Sequence, residues 1–334
     1  MNDVIADSLV DTPGTSPAFD RVYFNLHGTA RLDGYFVLGI GTYPPTATAD
    51  AYLVMVPGGQ TVQRNLRMST ELDPATLGRI AALQWEVLEP HGAWHLQLDP
   101  NPSGVEFDLT WRARSSTLVI PHYETTESAY AHLFQSGRYS GSITVDGKRI
   151  DVTGWHGQRD RSKGRRRTHD RLGMHLWIQA QLPGECIGFL YNEDRQGRAS
   201  HFEGASMRED GALDPIVTLA HALEFNASYE FQGGHFMLGF ASGAQRRLDV
   251  TSTGRGILMQ GAGYNGWHGV ARGRDRVEFE EWPLDGSRSP RSLELGITDA
   301  LCEFHCDGVR GTGISEYALT RSSAYAYRAG GASK

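Results

Sequence analysis

Ionisable side chains crowd together at Gly154–Arg167, which reads G-W-H-G-Q-R-D-R-S-K-G-R-R-R. Asp160 stands between Arg159 and Arg161, and His156 precedes it by one glycine-punctuated step. In one reading the Asp160 carboxylate takes a proton from substrate or water, and the flanking guanidinium groups stabilise developing negative charge. His156 is its natural companion, because imidazole titrates near neutrality. In the other reading the same residues form an ion-pair knot that fixes a tight turn, and spacing alone does not choose. Seven Arg and Lys residues between Arg159 and Arg171 face only Asp160 and Asp170. They suit a solvated loop, or a clamp for one carboxylate or phosphate, with Arg165 as the candidate anchor for a polar end.

A strand must follow, since Met174–Leu182 alternates strictly. Met174, Leu176, Ile178 and Ala180 share one face, and His175, Trp177, Gln179 and Gln181 the other. In a half-exposed sheet the second face meets water. In a barrel holding a small molecule it would line the cavity, with Trp177 giving apolar area and His175 and Gln179 orienting hydrogen bonds. Tyr191 and Glu193 have the same mixed character on the next strand. Cys302-Glu303-Phe304-His305-Cys306 suggests a metal, but an extended strand separates its cysteines by about 13 Å and turns His305 away. No metal site is expected. Nor is there a G-x-G-x-x-G helix start, a P-loop, a G-x-S-x-G elbow or an H-E-x-x-H pair. An enzyme built from these residues would use acid–base chemistry in a pocket, without a cofactor.

The elements that position them read almost entirely as short strands. Val105–Ala113 has the period of a half-buried strand, Glu89-Pro90-His91-Gly92 is hairpin-like, and Asp146-Gly147 is the strongest hairpin signal. Asp73-Pro74 could start a short helix through Ala82, and Thr125–Phe134 is ambiguous between helix and strand. Many strands, Gly-rich turns and little helix indicate sandwiches or closed barrels. A boundary near residue 160 gives domains over 19–160 and 161–328. G-W-H-G recurs at Gly266–Gly269, and an R-D-R follows each copy, which hints at two related halves.

The 334 residues carry a formal charge of −7, which argues against a nucleic-acid partner, since counterion displacement needs a positive surplus. No apolar stretch approaches the roughly 20 residues of a membrane span. The acidic N-terminus lacks a secretory pattern, and three cysteines make no disulfide framework. A cytoplasmic location is the expectation. Edge strands could pair chains into a homo-oligomer.

Gly154, Arg159, Asp160, Ser162, Gly164 and Arg166, followed by Trp177-Ile178-Gln179-Ala180, resemble the signature region of the two-domain lipocalin-like proteins. That superfamily includes carotenoid 1,2-hydratases and kievitone hydratases. Weaker echoes are His132 and Gln135 before Gly141, and Gly311, Gly313, Ile314, Glu316 and Tyr317. One departure is Lys163, where a Trp is expected after the Ser, which makes this site more open or more basic. The resemblance implies an all-β fold of two tandem lipocalin-like antiparallel β-barrels or barrel-like sandwiches, a hydrophobic small-molecule ligand and no cofactor. The expected activity is a cofactor-independent lyase that adds or eliminates water at a C=C bond of a hydrophobic or phenolic molecule. Asp160 and His156 lead the catalytic candidates, followed by His175, Tyr191 and Glu316. Arg165, Trp177, Gln179 and Tyr317 are the substrate-binding candidates. The alternatives are a lyase releasing formaldehyde from a phenolic aromatic dimer, and a non-catalytic carrier.

Overall fold

The structure, a computed structural model, describes residues 19–28, 34–73, 77–124, 128–166, 172–254, 256–264, 266–293 and 296–334, without the side chains of 121–124, 128–130 and 165–166. In chain order its strands are β1 (Phe19–His27), β2 (Tyr35–Tyr43), β3 (Thr48–Val56), β4 (Val62–Glu71), β5 (Arg79–Ile80), β6 (Leu83–Glu89), β7 (Ala93–Leu98), β8 (Val105–Glu124), β9 (Ser128–Val145), β10 (Lys148–Asp151) and β11 (His156–Arg166). They continue as β12 (Leu172–Leu182), β13 (Glu185–Asp194), β14 (Ala199–Arg208), β15 (Leu213–Phe225), β16 (Phe231–Phe240), β17 (Gln245–Ser252) and β18 (Ile257–Leu258). The last are β19 (Arg276–Pro283), β20 (Thr298–Cys306), β21 (Val309–Leu319) and β22 (Gly330–Ser333). Two single 3-10 turns, Pro44–Thr46 and Pro290–Ser292, are the only helical elements among the described residues.

The chain divides into two compact units. The first comprises Met1–Arg114, Val119–Thr168 and Gly261–Trp282, and the second Ser115–Leu118, His169–Gln260 and Pro283–Lys334. The first unit's sheet has 12 strands and curls into a half-barrel in the order β19-β4-β3-β2-β1-β11-β9-β8-β7-β6-β5, with β10 on β9. Residue 160 lies within β11, which is paired on both sides inside this sheet. In the second unit β12-β13-β14-β15-β16-β17-β20-β21 closes into an eight-stranded barrel, because β14 pairs with β15 and β12 with β21.

Alternation explains both cores. The first packs Val22, Phe24 and Leu26 of β1 against Trp94 and Trp111, and the second packs Met174, Leu176 and Ile178 against Phe189 and Phe236. An eight-stranded barrel is just wide enough for side chains to fill, so its interior takes the apolar face of β12. The His175–Trp177–Gln179–Gln181 face points outward, and Trp177, Gln179 and Gln181 are nevertheless buried. That corrects the expectation that this mixed face lines a barrel cavity.

Turn chemistry behaves as expected at Asp146-Gly147, where φ is 51° and 77°, the paired positive values of a two-residue hairpin turn. The hairpin at Glu89–Gly92 also forms, with His91 at φ 56°. The helix expected to run to Ala82 does not form. Its residues 74–76 lie outside the described residues, and Arg79–Ile80 pairs with Leu83–Gln84. Gly78 and Ala81, both at positive φ, break any helical run there. The ambiguous 125–134 segment is strand from Ser128 onward.

Candidate active site

β11 carries the motif that dominated the sequence, and as a strand it sends alternate side chains to opposite faces. Arg159 and Arg161 therefore leave Asp160 and enter the core side. Arg159 is fully buried, its guanidinium 5.6 Å from the Trp94 ring centroid and 5.7 Å from that of Trp111. Arg161 donates to both carboxylate oxygens of Asp20, at 2.9 and 2.6 Å. Neither an arginine knot around Asp160 nor a guanidinium pair stabilising charge beside it survives this geometry.

The opposite face is largely polar, and His132, Ser136, Gln158, Asp160, Ser162 and His27 are buried on it, while Arg138 is exposed. Cross-strand register arranges β9, β11, β1 and β2 into successive rows. One is Arg138, His156, His27 and Tyr35, another Phe134, Asp160, Tyr23 and Gly39, and another His132, Ser162, Arg21 and Gly41. Asp160 meets His132, whose Nε2 lies 3.0 Å from its Oδ1. His156 stands four residues along the same strand from Asp160, about 13 Å away. It packs edge-on against His27, ring centroids 6.3 Å apart. Burial, His27, Arg114 and Arg138 push the His156 pKa down to about 3. Burial likewise takes His27 down to about 4, with Arg114 adding to the effect.

In the second unit the outward face of β12 gathers four candidates. His175 is held at both ring nitrogens, Nε2 2.7 Å from Glu316 Oε1 and Nδ1 2.7 Å from Asn192 Oδ1. Trp177 is directly opposite Glu316, and Gln179 follows on the same face. Tyr191 and Glu193 point the other way, into the barrel, and do not share the mixed character of that face. Glu193 is buried and accepts hydrogen bonds from Tyr191 (3.0 Å), Tyr325 (2.9 Å) and His221 Nε2 (3.0 Å). Burial and the neighbouring Glu193 charge raise the Tyr191 pKa. Tyr317 is also inward, its hydroxyl accepting from Phe231 N at 3.1 Å. It lines a small depression with Glu230, Leu258, Arg288 and Pro290. The Arg165 side chain lies outside the described residues.

The structure thus brings together His175, Glu316, Trp177 and Gln179, and separately Asp160 with His132. It does not join Asp160 to His156. Sequence reasoning missed His27 and His221 as site residues and had His132 only as a weak echo of the family signature, while period-two counting from Asp160 puts His156 and Gln158 on its face. Both copies of G-W-H-G fall in the first unit, the first leading into β11 and the second capping β3 through Asp50. Asp50 accepts from Gly269 N at 2.7 Å and lies 3.4 Å from His268 Nδ1. The tetrapeptide therefore does not mark a duplication of the two units. Cys302, Phe304 and Cys306 are buried on one side of β20 and His305 is exposed on the other.

A curled open sheet and a closed eight-stranded barrel in one chain, each with a buried polar face or cluster, define a two-unit lipocalin-like β protein. The chain belongs to a family of unknown function, DUF8625, whose model matches residues 8–325. A Nitrosomonas europaea protein carrying the provisional name AttH has a similar fold, with TM-score 0.61 and 11% identity over 96% of this chain and 100% of that one. Kievitone hydratase from Nectria haematococca gives 0.52 and 12% over 90% and 88%. CghA in complex with Sch210972 gives 0.51 and 10% over 95% and 96%. At these identities the likeness speaks to the fold. No curated protein matches the chain in sequence. Among the described residues no helix is long and apolar enough to cross a membrane.

Proposed function

We propose that the chain is a lyase that adds or eliminates water at a C=C bond of a hydrophobic small molecule, using Asp160 and His132 as its acid–base pair. The 3.0 Å contact between these residues on a buried face carries the reading, and a fold shared with a hydratase supports it. In hydration the protonated member gives its proton to one alkene carbon. Water adds to the other carbon and returns a proton to the pair, so one H₂O is gained and the pair is regenerated. Elimination runs the same steps backward.

A second reading puts the chemistry at His175 and Glu316, favoured by the two 2.7 Å contacts that fix the imidazole. Mass spectrometry of reactions with apolar alkenes and phenolic aromatic dimers in isotopically labelled water tests both. Label gained or lost as water supports the proposal, loss of formaldehyde moves the assignment to a carbon–carbon lyase, and binding without turnover favours a carrier. Asp160→Asn and His175→Gln then say which pair acts.

A further inference from the structure

Two rows of the first unit's polar face, next to Asp160 along β11, carry features the proton chemistry does not use. Gln158 is fully buried, and neither its amide nitrogen nor its amide oxygen has a hydrogen-bond partner among the described residues. Leaving such a group unsatisfied costs about 1–3 kcal/mol, so an apolar residue would serve folding better. Its surroundings are fixed. Gln158 N donates to Asn25 Oδ1 at 2.9 Å, and Ser136, opposite Gln158 on β9, accepts from Arg114 Nε at 2.7 Å. The next row is Arg138, His156, His27 and Tyr35. His156 Nδ1 also lacks a partner.

The charged side chains that the described residues place in these two rows or against them are guanidinium groups. Arg114 and Arg138 both act on His156, and Arg114 on His27. Among the described residues no Asp or Glu stands in either row, whose remaining members are Ser136, Gln158, Asn25 and Val37. The imidazoles stay neutral and the fixed charge is guanidinium. Amide N–H, guanidinium N–H and neutral imidazole are the donors that recognise an oxyanion, while the amide carbonyl accepts from an adjacent hydroxyl.

We propose that this corner binds the anionic head of the substrate, a carboxylate or phenolate oxygen carried on an apolar body. The step from Gln158 to Asp160 is two residues, so the head lies about 7 Å from the reacting carbons. That span excludes a simple acrylate and requires a spacer about as long as a para-substituted ring. The inference rests on the lyase reading for the place of the reacting bond, but binding can be measured without turnover.

Calorimetry with para-ethylbenzoate, its neutral amide and para-nitrophenolate tests it. The expected result is that at least one anion binds about tenfold or more tightly than the neutral amide. Which one does so distinguishes the carboxylate from the phenolate. Gln158→Leu should collapse that ratio while holding or raising Tm, and Arg114→Met should reduce it. Asp160→Asn removes a neighbouring negative charge and should hold or raise the ratio while turnover falls, so loss of turnover and loss of head-group recognition separate. Equal affinity for anion and amide, or a ratio indifferent to Gln158→Leu, overturns the proposal.

Discussion

His132 Nε2 and Asp160 Oδ1 lie 3.0 Å apart although the two residues are not cross-strand partners. His132 stands opposite Ser162, and Asp160 opposite Phe134. The contact is diagonal, within the reach of long side chains across neighbouring strands. It makes one residue on β9 and one on β11 depend on a single register. A slip of either strand by one residue would turn its own member of the pair to the core side and part the two.

Asp160→Asn keeps the size of the side chain and removes the proton acceptor. Turnover should fall about a hundredfold to ten-thousandfold, the range for loss of a general acid or base, with unchanged circular dichroism. Full activity in the folded variant would remove Asp160 from the mechanism.

Acid should weaken the first unit through its buried imidazoles. The folded pKa of His27, about 4, lies below the ordinary imidazole value of 6.5, so the unfolded chain binds the proton more readily. Stability is therefore complete above about pH 6.5 and declines as pH falls toward 4. For His27 the loss is at most about 3 kcal/mol. Tm measured across this window should drop, and His27→Gln should flatten the slope.

Glu316→Gln separates the two acid–base readings. If His175 and Glu316 act on substrate, kcat falls by about a hundredfold or more. If they only brace the face of β12, the variant loses about 1–3 kcal/mol of stability at unchanged kcat. Denaturant titration beside initial rates makes the distinction.

Gly157→Ala should be poorly tolerated. A methyl group there would come 2.0 Å from the Asn25 carbonyl oxygen and 2.4 Å from the Tyr139 ring. Backbone on one side and a buried ring on the other leave no room to yield. The expected cost is about 2–4 kcal/mol, readable as a lower denaturation midpoint.

All three cysteines are buried. Burial pushes the Cys302 thiol up to about 12 and the Cys306 thiol up to about 11, so little thiolate exists near neutrality. Iodoacetamide should label none of them in native protein and all three after unfolding, as counted by intact mass.

Much of the architecture was legible because alternation and turn chemistry are local. The Met174–Leu182 pattern separated its two faces correctly, and Asp146-Gly147 announced its hairpin. What the pattern lacked was a label for which face is inside, since Trp177 and Gln179 are buried without facing the barrel interior. The Asp160 site was half legible. The residue stood out, but its glycines and arginines suggested a turn, when β11 is a strand that parts Asp160 from both neighbouring arginines. His132 pairs with it across two strands, and Glu193 with His221, contacts set by register and invisible to spacing. From residue 77 onward the helix expected after Asp73 is absent, because backbone geometry at Gly78 and Ala81 favours the short β5–β6 hairpin.

The order of strands in the first sheet bears on how the protein is made. β1 waits for β11, and β4 waits for β19, which ends at Pro283. A chain leaving the ribosome thus exposes the unpaired edge of β4 while β12 to β18 are still being synthesised. The barrel in turn needs β20 and β21 before it can close. Neither body finishes before the other has begun, so folding is largely post-translational and slow, as expected for long-range pairings. Nascent chains stalled before Arg276 should be the ones that chaperones hold and proteases clear.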